Sequence, residues 1–185
     1  MSTKKPIVIA ISGASGAGKT SLVKALAEFL QCPRLHFDDY VDDNTYPKDM
    51  ALWLKQGCDV SQIRTPKFSQ AIKEINSNSF IIIEEPFGRQ RPLMKPMIDK
   101  VILLDQPLEL CLNRISARFN NRQLNKKNSK DQEALTAYMA KYDDHLYEIY
   151  WQCVQQVSNN CDLVIAQKMP ISELTVYVVE WLNRE

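Results

Sequence analysis

The sequence predicts an α/β fold: a three-layer sandwich built on a central parallel five-stranded sheet. Three observations carry this. Short continuous apolar runs alternate with helical patterns, the order of a sheet with crossover helices rather than of a bundle or an antiparallel sandwich. Those runs lack the polar alternation of half-exposed strands, as strands covered on both faces should. The chain, 185 residues with 45% hydrophobic and 24% charged side chains, also suits one domain, 1–185, with a full core.

Residues 6–11 (PIVIAI) read as the first strand, and a helix follows from about Lys19 to Leu30. Residues 34–37 are a shorter strand ending at Asp38 and Asp39. The third strand, residues 80–83, ends in Glu84 and Glu85. The fourth, residues 101–104, ends in Asp105, and residues 162–165 are the fifth. From Leu108, apolar residues recur at Cys111, Leu112, Ile115 and Phe119, one stripe of a helix. From Leu135 they recur at Tyr138, Tyr142, Leu146, Ile149, Cys153 and Val157, the face of a second, long helix whose tyrosines read as packing residues. Between the two, residues 120–130 are polar without glycine or proline and read as a mobile loop. There is no internal repeat.

Charge and cysteine content narrow the function classes. Lysine and arginine total 23 against 22 acids, a net charge of +1, so no overall field draws the chain to nucleic acid or to an anionic membrane. No apolar run reaches the length of a membrane span. Five cysteines without a C-x-x-C pair, beside two histidines, give no zinc spacing. They read as reduced thiols of a cytoplasmic protein whose partner is a small molecule.

The strongest signal is Gly13-Ala14-Ser15-Gly16-Ala17-Gly18-Lys19-Thr20, which fits G-x-x-x-x-G-K-[ST] and lies between an apolar strand and an amphipathic helix. Glycines let successive backbone N–H groups turn inward around phosphate oxygens, and the helix N-terminus adds favourable partial charge. Lys19 can reach the β- and γ-phosphates of ATP, while the Thr20 hydroxyl can ligate Mg²⁺. Ser21 extends the nucleotide-binding run. A guanine-reading N-K-x-D is absent, because Asn125-Lys126-Lys127-Asn128 lacks the aspartate.

Acids at the other strand ends supply candidate chemistry. Asp38 can accept or orient the proton of an attacking hydroxyl, with Asp39 behind it. Glu84 is placed to hold Mg²⁺ directly or through water, ahead of Glu85 and Asp105. Arg114, Arg118 and Arg122, at i, i+4 and i+8, fall on one helical face, where a lid could neutralise charge on a transferring phosphoryl group. The segment of about 40–79 reads as an insert covering the acceptor. In it and beyond, Tyr40, Tyr46 and Trp53 offer aromatic faces, and Arg64, Arg89 or Arg91 offers a grip on hydroxyls or an anionic group.

Together these residues resemble the P-loop kinases of small metabolites, nearest to the uridine kinase, nicotinamide riboside kinase and phosphoribulokinase group. The motifs that carry the resemblance span about residues 7 to 122. It implies a P-loop nucleoside triphosphate hydrolase fold with a helical lid of about 114–130. Asp38 would then be the catalytic base, Glu84 the support for Mg²⁺, and Arg114 and Arg118 lid residues acting with Lys19. Arg122 would assist nucleotide binding, and Asp38, Asp39, Tyr40, Tyr46, Arg64 and Arg89 would face the acceptor. Two departures stand out: Glu85 replaces the glycine usual after the metal-supporting glutamate, and no Asn-Trp-Asp nucleoside segment is present. The expected reaction is Mg²⁺-dependent transfer of the γ-phosphoryl group of ATP to a hydroxyl of a nucleoside- or ribosyl-like metabolite. A nucleoside monophosphate kinase, or a nucleotide-regulated binding protein with slow hydrolysis, is the alternative.

Overall fold

The computed structural model describes residues 5–77, 79–126 and 129–184. The side chains of residues 122–131, and with them the expectation for Arg122, lie outside the described residues. Five parallel strands form one sheet. The central strand β1 (Ile7–Gly13) is flanked by β3 (Phe80–Glu84) and β4 (Lys100–Leu104), with β2 (Arg34–His36) and β5 (Leu163–Ile165) at the edges. The order is β2-β3-β1-β4-β5. Ile9, Ile11, Ile82, Ile83 and Ile102 have no exposed surface, which accounts for strands written as unbroken apolar runs.

Helices cover both faces of the sheet. α1 (Lys19–Phe29) and α7 (Ile171–Leu182) pack together on one face, and α6 (Tyr147–Ser158) lies over β1 and β4 on the other. The connection between β2 and β3 carries two short helices, α2 (Met50–Lys55) and α3 (Pro66–Glu74). Proline opens α3, where its missing N–H costs nothing.

The expected loop at 120–130 is a correction. α4 (Leu108–Lys126) continues through most of it, and α5 (Ser129–Lys141) begins at its end. A polar stretch with neither glycine nor proline holds nothing that must stop a helix, so the chain keeps winding. The long second helix is also subdivided. Between α5 and α6 one π-helical turn, Tyr142–Leu146, takes up an extra residue. The apolar spacing already carries this turn. Tyr138, Tyr142 and Leu146 are each four residues apart, a spacing that drifts around a uniform 3.6-residue helix and that a wider turn absorbs.

Beyond β3 the chain is anchored by a buried ion pair. Glu85 is fully buried and Arg91 is 2% exposed. The guanidinium pairs with both carboxylate oxygens, Nε at 3.1 Å from Oε1 and Nη2 on Oε2. Arg91 also donates to Thr65 Oγ1 at 2.8 Å and lies over the rings of Phe37 and Phe87. Glu85 Oε1 accepts from the Phe87 amide as well, and its carbonyl accepts from Ser12 Oγ at 2.7 Å. Every polar atom of the pair therefore has a partner, the condition under which a buried ion pair is tolerated.

Burial pushes the Glu85 carboxyl above the usual carboxylate range, and the Arg91 charge pulls it back. Arg91→Met should therefore leave an uncompensated buried carboxylate and cost about 3–5 kcal/mol in urea unfolding at neutral pH. Because the folded-state pKa then lies above the unfolded one, protonation favours the folded chain. The deficit should shrink as pH falls through that raised pKa. A loss that stays constant with pH would remove Glu85 as its source.

Candidate functional site

The strand register assembles the site. Pairing of β2, β3 and β1 sets His36, Glu84 and Ile11 at one level on the carboxyl edge of the sheet, just below the turn that leads into α1. Glycine makes that turn possible at two positions in particular. Gly16 has φ +83° and Gly18 has φ +108°, and Gly18 is the N-cap of α1 with no side chain capping it. The unpaired N–H groups of the first helical turn are therefore offered to a ligand, with no acidic residue among them.

Glu84, 4% exposed, is the hub. Its Oε2 accepts from Thr20 Oγ1 at 2.9 Å and lies 3.1 Å from His36 Nδ1, while Oε1 is 3.8 Å from Lys19 Nζ. Lys19 Nζ also donates to the Ala14 carbonyl at 3.0 Å. Burial lowers the Lys19 pKa, opposed by the charges of Glu84 and Asp38. Asp38 sits in a 3₁₀ turn, Phe37–Tyr40, at the end of β2. Desolvation and then the Glu84 charge raise its carboxyl above the usual range, with Lys19 opposing.

These groups face one cavity of about 860 Å³. One end is formed by Gly13, Lys19, Thr20, Asp38, Glu84 and Arg118. The opposite walls come from three elements: Tyr46 to Trp53 of the β2–β3 connection, Phe87 beyond β3, and Tyr138 to Val154 of the α5–α6 helix. Tyr138 and Tyr150 stand with their hydroxyls 3.3 Å apart. A smaller cavity of about 380 Å³ adjoins the cradle between Gly18, Ser21, Arg114, Arg118, Gln106 and Gln167. Arg114 Nη1 donates to the Gly16 and Ala17 carbonyls at 3.2 and 3.1 Å, so it braces the cradle from outside, and Arg118 borders both cavities.

The structure thus gathers Lys19, Thr20, Asp38, Glu84, Tyr46 and Arg118 around one space. Other expected residues lie elsewhere. Arg89 is a correction: it pairs with Asp162 at 2.8 Å and donates to the Ile98 carbonyl, a structural clamp away from the cavity lining. Tyr40 packs on Phe68 with ring centroids 5.1 Å apart, and Arg64 is exposed; neither they nor Asp39 border the cavity. Glu85 and Arg91 are committed to each other, and the Asp105 amide joins β5 through the Ile165 carbonyl. Lys48, Lys141, His145 and Tyr150 line the cavity without having been read as site residues. The tyrosine expectation divides: Tyr142 is buried as packing, but Tyr138 and Tyr150 are wall residues. The run of four-residue spacings was the available signal.

No protein-family model and no curated protein matches this chain. Solved structures do. APS kinase from Mycobacterium tuberculosis, in complex with AMPPNP and APS, is 17% identical over 97% of this chain and 99% of its own, with a TM-score of 0.58. Deoxyadenosine kinase from M. mycoides with bound dATP is 17% identical over 96% and 100%, at 0.55. Shikimate kinase from Acinetobacter baumannii, in complex with shikimate, is 18% identical over 98% and 95%, at 0.50. At such identities the likeness establishes the fold alone, a three-layer α/β architecture shared with these three kinases.

A Cβ on Gly16 would meet the Cys111 carbonyl, and the positive φ would be strained besides. Gly16→Ala should cost about 1–3 kcal/mol in thermal unfolding. Unaltered melting would show that the turn is not held as described.

Proposed function

We propose that this chain is an ATP- and Mg²⁺-dependent kinase that phosphorylates a hydroxyl of a small, nucleoside- or ribosyl-like metabolite. One observation carries the reading: the phosphate cradle, the Thr20–Glu84 oxygen pair and the Asp38 carboxylate all face the same 860 Å³ cavity. A nucleotide-regulated switch needs the first two but has no use for a carboxylate beside a second, aromatic-walled space.

The donor set fits Mg²⁺. Thr20 and Glu84 offer hard oxygens, and Mg²⁺ is commonly held by one or two protein oxygens together with substrate phosphates. When bound, Mg²⁺ would neutralise charge on the phosphate oxygens.

The chain's own residues supply the rest. Cradle amides and Lys19 bind and orient the phosphates, with Lys19 held at the γ-phosphoryl end by its contacts to Ala14 and Glu84. The smaller cavity, between Arg114 and Arg118, receives the nucleoside end of ATP. Asp38 accepts a hydrogen bond from the acceptor hydroxyl and takes its proton as the phosphoryl group transfers, and its raised pKa suits it to that exchange. Arg118 compensates the charge that develops between the two substrates. Tyr46, Phe87, Tyr138 and Tyr150 close the acceptor side with flat faces.

Lys19→Ala should abolish most turnover, measured as acceptor-dependent ADP release, while circular dichroism stays that of the folded chain. Near-normal transfer would defeat the assignment. Asp38→Asn should lower kcat by about 10²–10⁴-fold with ATP affinity largely retained. In the unsubstituted chain, kcat/KM should fall on the acid side with a midpoint above the ordinary aspartate range, since Asp38 must be ionised and its pKa is raised. If Asp38→Asn instead abolishes Mg²⁺-dependent ATP binding, Asp38 belongs to the metal site.

A further inference from the structure

The arginines expected to grip the acceptor are occupied elsewhere, yet the acceptor side of the cavity is cationic. Lys48, on the β2–β3 connection, and Lys141, the last residue of α5, both line it. Among the described residues neither makes an ion pair or a hydrogen bond. The acids on the same cavity are Asp38, Asp49 and Glu84. Asp49 caps α2 by accepting from the Leu52 amide at 2.8 Å, and Glu84 is held by Thr20, His36 and Lys19. His145 is on the wall too, its Nδ1 2.7 Å from Asp144 Oδ2. Two lysines on separate elements therefore line one cavity whose one uncommitted acid among the described residues, Asp38, lies at the end with Lys19 and Thr20.

Both lysines are exposed, and an ordinary solvated lysine needs no partner. Their placement makes the difference. One comes from the segment after Tyr46 and the other from the helix that carries Tyr138, and both border the cavity that these tyrosines line. A ligand in a cavity bordered by two lysines gains more from them if it is an anion than if it is neutral.

Resting on the kinase reading, we infer that the acceptor is an acidic metabolite, carrying a phosphate or carboxylate that Lys48 and Lys141 bind while its hydroxyl faces Asp38. A neutral nucleoside would leave both ammonium groups without a counter-charge.

The test is calorimetric titration of the full chain with matched neutral and anionic ligands. The phosphate arm pairs uridine with UMP and ribose with its phosphate ester; the carboxylate arm pairs methyl shikimate with shikimate. In at least one arm the anionic member should bind about tenfold tighter or more, and added salt should erode the difference. The double variant Lys48→Met/Lys141→Met should equalise the members of that pair, and the two single variants serve if the double variant does not fold. Neutral members binding as well in every pair, no binding by any anionic member, or a preference that survives in the folded variant overturns the inference. Failure of the kinase reading looks different: the anionic preference and its dependence on the lysines persist, but no acceptor elicits ADP release.

Discussion

A buried carboxylate at a strand end organises this molecule. Glu84 terminates β3, yet its two oxygens touch the first turn of α1 through Thr20 and Lys19 and the end of β2 through His36. The register of three parallel strands is thereby tied to the geometry of a phosphate-sized turn. Burying a carboxylate is expensive unless it is paired and hydrogen-bonded, and here its partners are the groups a triphosphate would need. The same cost that would make Glu84 a liability elsewhere keeps Lys19 and Thr20 in place.

Directly after it, Glu85 solves a different problem. Its side chain turns into the protein, where Arg91 meets it between the rings of Phe37 and Phe87. Two successive acids at one strand end thus divide their work by alternation: one side chain meets Thr20 and Lys19, and the next meets Arg91 beneath Phe87. Phe87, held by the Glu85 carboxylate through its amide, carries that support to the cavity.

Much of the fold was legible because its strands are buried on both faces and its breakers are few. Apolar runs bounded by turns marked all five strands to within a residue or two, and G-x-x-x-x-G-K-T located the cradle without ambiguity of spacing. The acceptor side was less legible. Which arginine faces a cavity depends on partners distant in sequence: Arg89 meets Asp162, and Arg91 meets Glu85 and Thr65. Nothing local distinguishes such a residue from one that binds substrate. Residues 120–130 were misjudged because polarity alone does not end a helix. The wall formed by Tyr138, Lys141 and His145 was hidden by a stripe that also served the core.

That stripe passes through the π-helical turn at Tyr142–Leu146. Before the turn the helix lends Tyr138 and Lys141 to the cavity; after it, Ile149, Cys153 and Val154 are buried and still border the cavity, while Val157 is buried in the core alone. A uniform helix would have to serve both surfaces with one angular phase. The extra residue shifts that phase between α5, which borders the cavity through Tyr138 and Lys141, and α6, whose Ile149, Cys153 and Val154 are shared by cavity and core. With the shift confined to one turn, the angle at which α5 meets the cavity is set apart from the angle at which α6 packs over β1 and β4.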